Sequence, residues 1–283
     1  DKTYYAKWNV DSYDITLDID GGTINSGNID SYTYGVGATL PTDITKTGYS
    51  FKGWYDNSSY TGDPISSVLS TETGDKEFYA RWDVNKYTIT YVTNNGTINA
   101  SNVTQYTYGV GATLPTNVTK TGHTFAGWYT NDSYAGERMT SISTTTTGDK
   151  TFYAKWNVNS YNVTLNTDGG IINSGNIASY TYGVGATLPT DIAKTGYTFG
   201  GWYDNSLYSG SPVLSIASNA IDDKEFWADW AVINYTITYN ANEGVFATTP
   251  AESYNYGDEV TLPTPTREGY TFAGWYNNSN LVG

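Results

Sequence analysis

Three observations predict a mainly β fold, built as a tandem array of small modules of about 74 residues with little helix. The first is a period. Trp54, Trp128, Trp202 and Trp275 lie 74, 74 and 73 residues apart, and Trp8, Trp82, Trp156 and Trp230 lie 74 apart. A fixed spacing of this size marks repeated units. The second is alternation: Tyr13, Ile15, Leu17 and Ile19 are interleaved with Asp14, Thr16 and Asp18, as a strand with one wet face requires. The third is composition. Aromatic residues make up 16% of the chain, with 28 Tyr and 9 Trp, whereas the helix formers Glu, Lys, Leu and Gln are thin.

Residues Asp1 to Trp8 carry the pattern of Asp75–Trp82, Asp149–Trp156 and Asp223–Trp230, so the chain opens on the last strand of a unit. Tyr4, Ala6 and Trp8 alternate with Tyr5 and Lys7. The expected division is 1–8 as a last strand, 9–82, 83–156 and 157–230 as three repeats, and 231–283 as a fourth that lacks its last strand. A four-residue connector, Asn9–Ser12 in the first repeat, joins units without Pro or Gly. Val10, Val84, Val158 and Val232 are expected to dock at the junctions and stiffen the array.

The first strand of each unit ends in a tight-turn sequence: Asp20-Gly21-Gly22, Asn94-Asn95-Gly96 or Asp168-Gly169-Gly170. A hairpin between the first two strands is expected there. Tyr32, Tyr34, Val36, Ala38 and Leu40 then keep a period of two until Pro41, which cannot donate to a ladder. Tyr49 and Phe51 resume the alternation, and its phase slips at Gly53-Trp54, as a bulge would cause. Trp54, Trp82, Trp128, Trp156, Trp202, Trp230 and Trp275 are the expected structural core. Residues 56–74 and their counterparts vary most between units and are the default place to seek binding. Tyr60, Tyr134 and Tyr208 recur there as candidate ligand-facing aromatics.

Composition excludes several functions. There is no Cys, hence no disulfide or thiolate site. A net charge of −14 repels phosphate, so neither nucleic acid nor an anionic membrane surface is an expected partner. No apolar run reaches the roughly 18 residues needed to cross a bilayer. The only Met is Met139 and the chain starts at Asp1, which reads as a processed subunit or a piece of a longer array.

The unit consists of Tyr-x-(Val/Ile)-Thr and Gly-Gly, Tyr-Gly before Leu-Pro-Thr, Lys/Arg-x-Gly-Tyr-x-Phe-x-Gly-Trp-Tyr, and Phe-Tyr-Ala-x-Trp. It resembles the Listeria–Bacteroides repeat, the B-repeat of internalin-like surface proteins, with Pro263–Tyr276 the nearest match. The resemblance implies β-grasp-like modules in tandem on secreted or wall-anchored proteins, and it brings no catalytic residues. An inserted loop at 24–31 departs from the family pattern.

No enzyme is expected, and no cofactor or metal. His123 is the single histidine and stands where Tyr49, Tyr197 and Tyr270 stand, as an aromatic-for-aromatic core substitution. One histidine without cysteine builds neither a nucleophile–base pair nor a zinc site. Tyr5, Tyr79, Tyr153 and Trp227, on the face opposite the closing tryptophans, fit either a sugar platform or cross-strand packing.

Compact-size scaling gives each unit a width of about 30 Å, so four in line would form an elongated rod of about 120 Å. The expected function is a structural repeat protein of an extracellular stalk, adhesin or fibre at the cell surface. In its sharper form, subunits self-associate head to tail: Tyr4, Tyr5, Ala6 and Trp8 supply an assembly strand to the open fourth repeat of the next copy. The alternative is a glycan- or receptor-binding adhesive module that uses the variable loops.

Overall fold

The computed structural model describes residues 1–100 and 102–279, in two compact units, Asp1–Asn157 and Val158–Gly283. No helix occurs among the described residues. In the first complete repeat the strands are β1 (Ser12–Asp18), β2 (Thr23–Ile24), β3 (Ser31–Thr33), β4 (Ala38–Thr39), β5 (Ile44–Thr45), β6 (Tyr49–Tyr55), β7 (Ser67–Val68) and β8 (Lys76–Val84). The main sheet has the order β3-β1-β8-β6. The last strand of the repeat therefore lies in the middle of the sheet. It runs parallel to β1, with Leu17 opposite Phe78, and antiparallel to β6, with Trp54 opposite Ala80. The second and third complete repeats have the same order.

The hydrophobic pattern explains this placement. Phe78 and Ala80 point to one face and are fully buried, while Tyr79 and Arg81 point to the other. Ile15, Tyr32, Leu40, Ile44, Trp54 and Val68 complete the core. Equivalent clusters surround Trp128 and Trp202. Each of these central tryptophans donates its indole N–H to a proline carbonyl: Trp54 to Pro41 at 2.7 Å, Trp128 to Pro115 at 2.8 Å and Trp202 to Pro189 at 2.7 Å. The proline that stops the strand thus also supplies the partner that a buried indole needs. The phase slip before Trp54 is a bulge, with the register shifting between Phe51 and Gly53. Gly53 has φ 121°, and a Cβ there would lie 2.6 Å from Pro64.

The closing tryptophans sit at the rim rather than at the centre. Trp82, Trp156 and Trp230 are half-buried against their clusters. Each donates to a carbonyl of the first turn, of Ile19, Thr93 or Thr167, at 2.9–3.1 Å. Each ring lies over a turn glycine, where an added Cβ would fall 2.2–2.6 Å from it at Gly22, Gly96 and Gly170.

Five expectations need correction. β1 and β2 do not form a hairpin: β1 pairs with β3 and β8, and β2 pairs with β5 in a separate ribbon. The long strand from Tyr32 to Leu40 is broken by a turn, because Gly35 and Gly37 take left-handed φ of 87° and 75°. Connectors are one residue long, since β8 continues to Val84 and the next first strand begins at Lys86. Val10, Val84, Val158 and Val232 are exposed and do not fill the junctions. His123 is half-buried, not core, and its counterparts Tyr49 and Tyr197 contact the following repeat.

The junction has a specific geometry. Between the first two repeats, Asn85 donates its N–H to Gly48 O at 2.9 Å and accepts from Tyr108 N–H at 3.1 Å. The Tyr108 ring covers Gly48, where a Cβ would fall 2.2 Å away, and meets Tyr49 edge to face at 5.7 Å. The third and fourth repeats repeat it: Ile233 donates to Gly196, Tyr256 donates to Ile233, and the Tyr256 ring covers Gly196.

Three outcomes follow. Trp128→Ala removes a fully buried indole and should destabilise its repeat by about 3–5 kcal/mol in chemical denaturation. Tyr108→Ala should uncouple the first two repeats, so that calorimetry resolves separate transitions where the wild type has one. Burial pushes the Tyr91 hydroxyl up to about 12. A raised acid pKa favours the neutral form in the fold, so its contribution is complete below the ordinary tyrosine value of about 10 and is lost as pH rises toward 12. Tyr91→Leu, the residue type found at Leu17 and Leu165, should flatten the alkaline loss of melting temperature between those values.

Candidate functional site

A central strand is the worst element for a four-stranded sheet to lack, because both neighbours lose their partner. Among the described residues, none forms that strand in the fourth repeat. Asn234–Thr236 pairs with Ser253–Asn255, as β1 pairs with β3. Beyond Thr236 the first strand is not continued, and residues 271–276 are in no strand. Their counterparts in the third repeat, 163–166 and 198–203, are held by the closing strand Lys224–Val232.

A groove there is lined by Asn240, Gly244, Thr266, Tyr270, Phe272 and Trp275. Tyr270 is 68% exposed and Phe272 38%, whereas Tyr197 and Phe199 are half-buried. Tyr239 lies 5.3 Å from Trp275 and 5.6 Å from Phe246, which keeps an aromatic core in place. Its hydroxyl is buried without a hydrogen-bond partner. Trp275 is half-buried and still donates to Pro263 O at 2.7 Å. The turn glycine Gly244 has no indole over it; the atoms nearest to an added Cβ are backbone and proline. Arg267 pairs with Glu243 and stacks 4.1 Å from the Tyr270 ring centre. In the first and third repeats the corresponding Lys46–Asp20 and Lys194–Asp168 pairs border an occupied tryptophan seat.

Residues 1–8 carry the sequence pattern of a closing strand. Tyr4, Tyr5, Ala6 and Trp8 are in no strand, and Tyr4, Tyr5 and Trp8 are 87%, 91% and 88% exposed. Aligned on the third repeat, Tyr4 corresponds to Phe226, Ala6 to Ala228 and Trp8 to Trp230. The register of complete repeats would set Tyr4 beside Tyr239, Ala6 beside Trp275 and Trp8 beside Phe272. Trp8 would then cover Gly244.

The variable loops offer less. Tyr60, Tyr134 and Tyr208 adopt left-handed φ of 52°, 55° and 52°. Asn57, Asn131 and Asn205 tie these loops by side-chain bonds to the backbone four residues on. The three rings stand edge to face on Tyr55, Tyr129 and Tyr203 at 5.8–5.9 Å. Tyr134 also accepts a hydrogen bond from Asn94 at 2.9 Å. Tyr79 and Trp227 lie directly opposite Tyr55 and Tyr203 in their ladders, and Tyr79 and Trp227, like Tyr153, are half-buried. In complete repeats these aromatics contact rings of their own module, with Tyr208 left exposed. Among the described residues no cluster of acidic residues and histidine could hold a metal ion. The glycine seats and the tyrosine-on-glycine junction were missed in the sequence, although the recurring Gly48-Tyr49 and Tyr34-Gly35 pairs carried their signal.

Comparison with known proteins agrees with the periodicity. The sequence model of the Listeria–Bacteroides repeat domain matches residues 13–81, 87–155, 161–220 and 235–283. Two relatives come from Evansella cellulosilytica. One, named "Putative membrane protein", is 33% identical over 96% of this chain and 40% of its own length. The other, named "Putative Gly-rich membrane protein", is 30% identical over 99% of this chain and 31% of its own length. Internalin H of Listeria monocytogenes is 36% identical over 32% of this chain and 16% of its own length. The chain thus spans well under half of the relatives it matches. No helix among the described residues is long and apolar enough to cross a membrane.

The exchange of an occupied for an empty tryptophan seat gives a direct check on a complete repeat. Trp230→Ala should expose Gly170 and loosen the third repeat's turn, seen as faster amide exchange at Thr167–Gly170 than in the wild type.

Proposed function

Because this chain belongs to the Listeria–Bacteroides repeat family, present here as four consecutive copies, we propose that it is a non-catalytic structural segment of an extracellular stalk or fibre. The observation that carries this reading is the packing of the complete repeats. Their recurring aromatics serve their own cores and the joints between repeats, which is what a load-bearing array requires. Relatives named as membrane proteins and an internalin support a cell-surface setting. A surface charge of −14 keeps such an array soluble and away from anionic lipid.

The finer reading concerns assembly. Asp1–Trp8 of one copy enters the groove of the fourth repeat of the next, between the Ile237–Asn240 and Tyr270–Tyr276 segments. This is β-strand addition at the centre of a sheet rather than at its edge. Main-chain bonds on both sides supply affinity, and the Trp8 seat on Gly244 supplies register. The carboxylate of Asp1 would take the role of Asp75, Asp149 and Asp223, each of which accepts a backbone N–H of the first strand at 2.7–2.9 Å.

A fluorescent peptide of residues 1–10 tests this directly against the chain lacking residues 1–8. Saturable binding is expected, weakened about tenfold or more by Trp8→Ala in the peptide. Absence of binding would remove strand donation and leave the structural reading to stand on the repeats alone. Retention of the chain on a glycan or host-protein array, abolished by changes in the 56–74 loop, would favour the adhesive alternative.

A further inference from the structure

The sheet of each complete repeat carries a tyrosine pair on the face turned away from its core. Tyr55 and Tyr60, Tyr129 and Tyr134, and Tyr203 and Tyr208 stand edge to face with ring centres 5.8–5.9 Å apart. In the first two repeats a cation from the closing strand meets the pair. The Arg81 guanidinium lies 5.8 Å from the Tyr55 ring centre, with Nη1 3.4 Å from the Tyr55 hydroxyl. The Lys155 ammonium lies 5.3 Å from the Tyr129 ring centre and 5.8 Å from that of Tyr134. Such a cation is held by the negative face of the ring. The third repeat keeps the rings and loses the cation, because Asp229 stands where Arg81 and Lys155 stand.

Other differences of the third repeat gather at the same place. Trp227 replaces Tyr79 and Tyr153, directly opposite Tyr203 in the ladder, and Asp229 follows two residues along on the same face. Gly200 replaces Lys52 and Ala126, and the Asp229 carboxylate leans into the space it leaves, with Oδ2 2.5 Å from an added Cβ. Leu207, 84% exposed, replaces Ser59 and Ser133 beside the loop tyrosine. Tyr208 is 40% exposed, whereas Tyr60 and Tyr134 are half-buried. Among the described residues no Lys or Arg pairs with Asp229 or lies over the ring of Tyr203, Tyr208 or Trp227.

We infer that this face of the third repeat docks a protein partner, which lays an arginine or lysine side chain on Tyr203, Tyr208 and Trp227 and pairs its charge with Asp229. The sibling repeats specify the occupant. Equivalent tyrosine pairs already hold an Arg in one repeat and a Lys in the next, so a cationic head on an aliphatic stem fits the seat. A carboxylate in place of the resident cation turns a self-filled seat into one that attracts a cation from outside. Glu225 on the same strand face and Asp204 beside Tyr203 add to the negative potential, and the net charge of −14 steers a basic segment toward it. Leu207 supplies an apolar rim for the stem. The seat lies within one complete repeat, so it depends neither on strand donation nor on what precedes or follows the four repeats.

Nuclear magnetic resonance titration of the whole isotope-labelled chain with N-acetyl-arginine amide tests the site, since each repeat reports separately. The expected result is saturable shifts at the amides of Tyr203, Tyr208 and Asp229 and at the Trp227 indole N–H, with an affinity on the order of 1–10 mM for a single residue. The tyrosine pairs of the first two repeats should not saturate. Asp229→Lys, which installs the residue type of Lys155, should weaken binding about tenfold or more. Asp63→Lys, the same charge change at an exposed position of the first repeat, should weaken it by less than about twofold. An unchanged circular dichroism melt for Asp229→Lys would exclude misfolding, and Tyr208→Ser, at an exposed ring, should weaken binding independently. No saturable shift in the wild type overturns the site. Equal weakening by the two lysine variants also overturns it, leaving only general attraction to an acidic surface. Shifts at the same residues with cellobiose and not with the arginine amide would make the face a sugar platform and remove the cationic partner. The packing of the repeats is untouched by any of these results, so the structural reading stands or falls separately.

Discussion

Everything in a repeat depends on the strand that arrives last and lies in the middle. β8 contributes Phe78 and Ala80 to the core, hydrogen-bonds to β1 on one side and β6 on the other, and carries near its end the tryptophan that covers the first turn. The parallel pairing of first and last strands means that no earlier segment can close the sheet. Until β8 is in place, β1 and β6 are two ribbons with facing, unpaired edges. In the fourth repeat the aromatic cluster persists around Trp275, while residues 237–240 and 271–276 are in no strand.

Glycine at the turn is the counterpart of that strand. Gly22, Gly96 and Gly170 are there for the closing indole, since any side chain would meet the ring. A second group, Gly48 and Gly196, serves the tyrosine of the following repeat. In both groups a large ring rests on bare backbone, which places aromatic area where two segments must come close and costs little side-chain freedom. Small modules bury only roughly 60% of their unfolded surface, so such contacts between segments carry much of the cohesion.

The period, the all-β class, the central tryptophans and the bulge at Gly53 were legible because each is a local or periodic signal. Strand pairing was not. The turn at Asp20-Gly21-Gly22 reads as a hairpin, and the chain instead crosses from one sheet to another, because β8, about sixty residues away, takes the hydrogen-bonding edge of β1. Likewise Tyr32–Leu40 alternates without interruption, and only the left-handed φ of Gly35 and Gly37 breaks it. The exposed valines of the connectors misled for a related reason: apolarity at a repeated position marks a junction, but it does not say which side chain fills it. That the closing strand lies at the sheet centre required the strand order.

The parallel arrangement of β1 and β8 has a mechanical consequence. The chain enters a repeat at the start of β1 and leaves it at the end of β8, and these two points lie at opposite ends of adjacent parallel strands. Tension applied along the chain therefore pulls the two strands past each other, loading all their hydrogen bonds at once instead of peeling them one by one. With a single residue between repeats, there is little slack to absorb the pull before it reaches the next β1. A repeat of this design is a shear clamp.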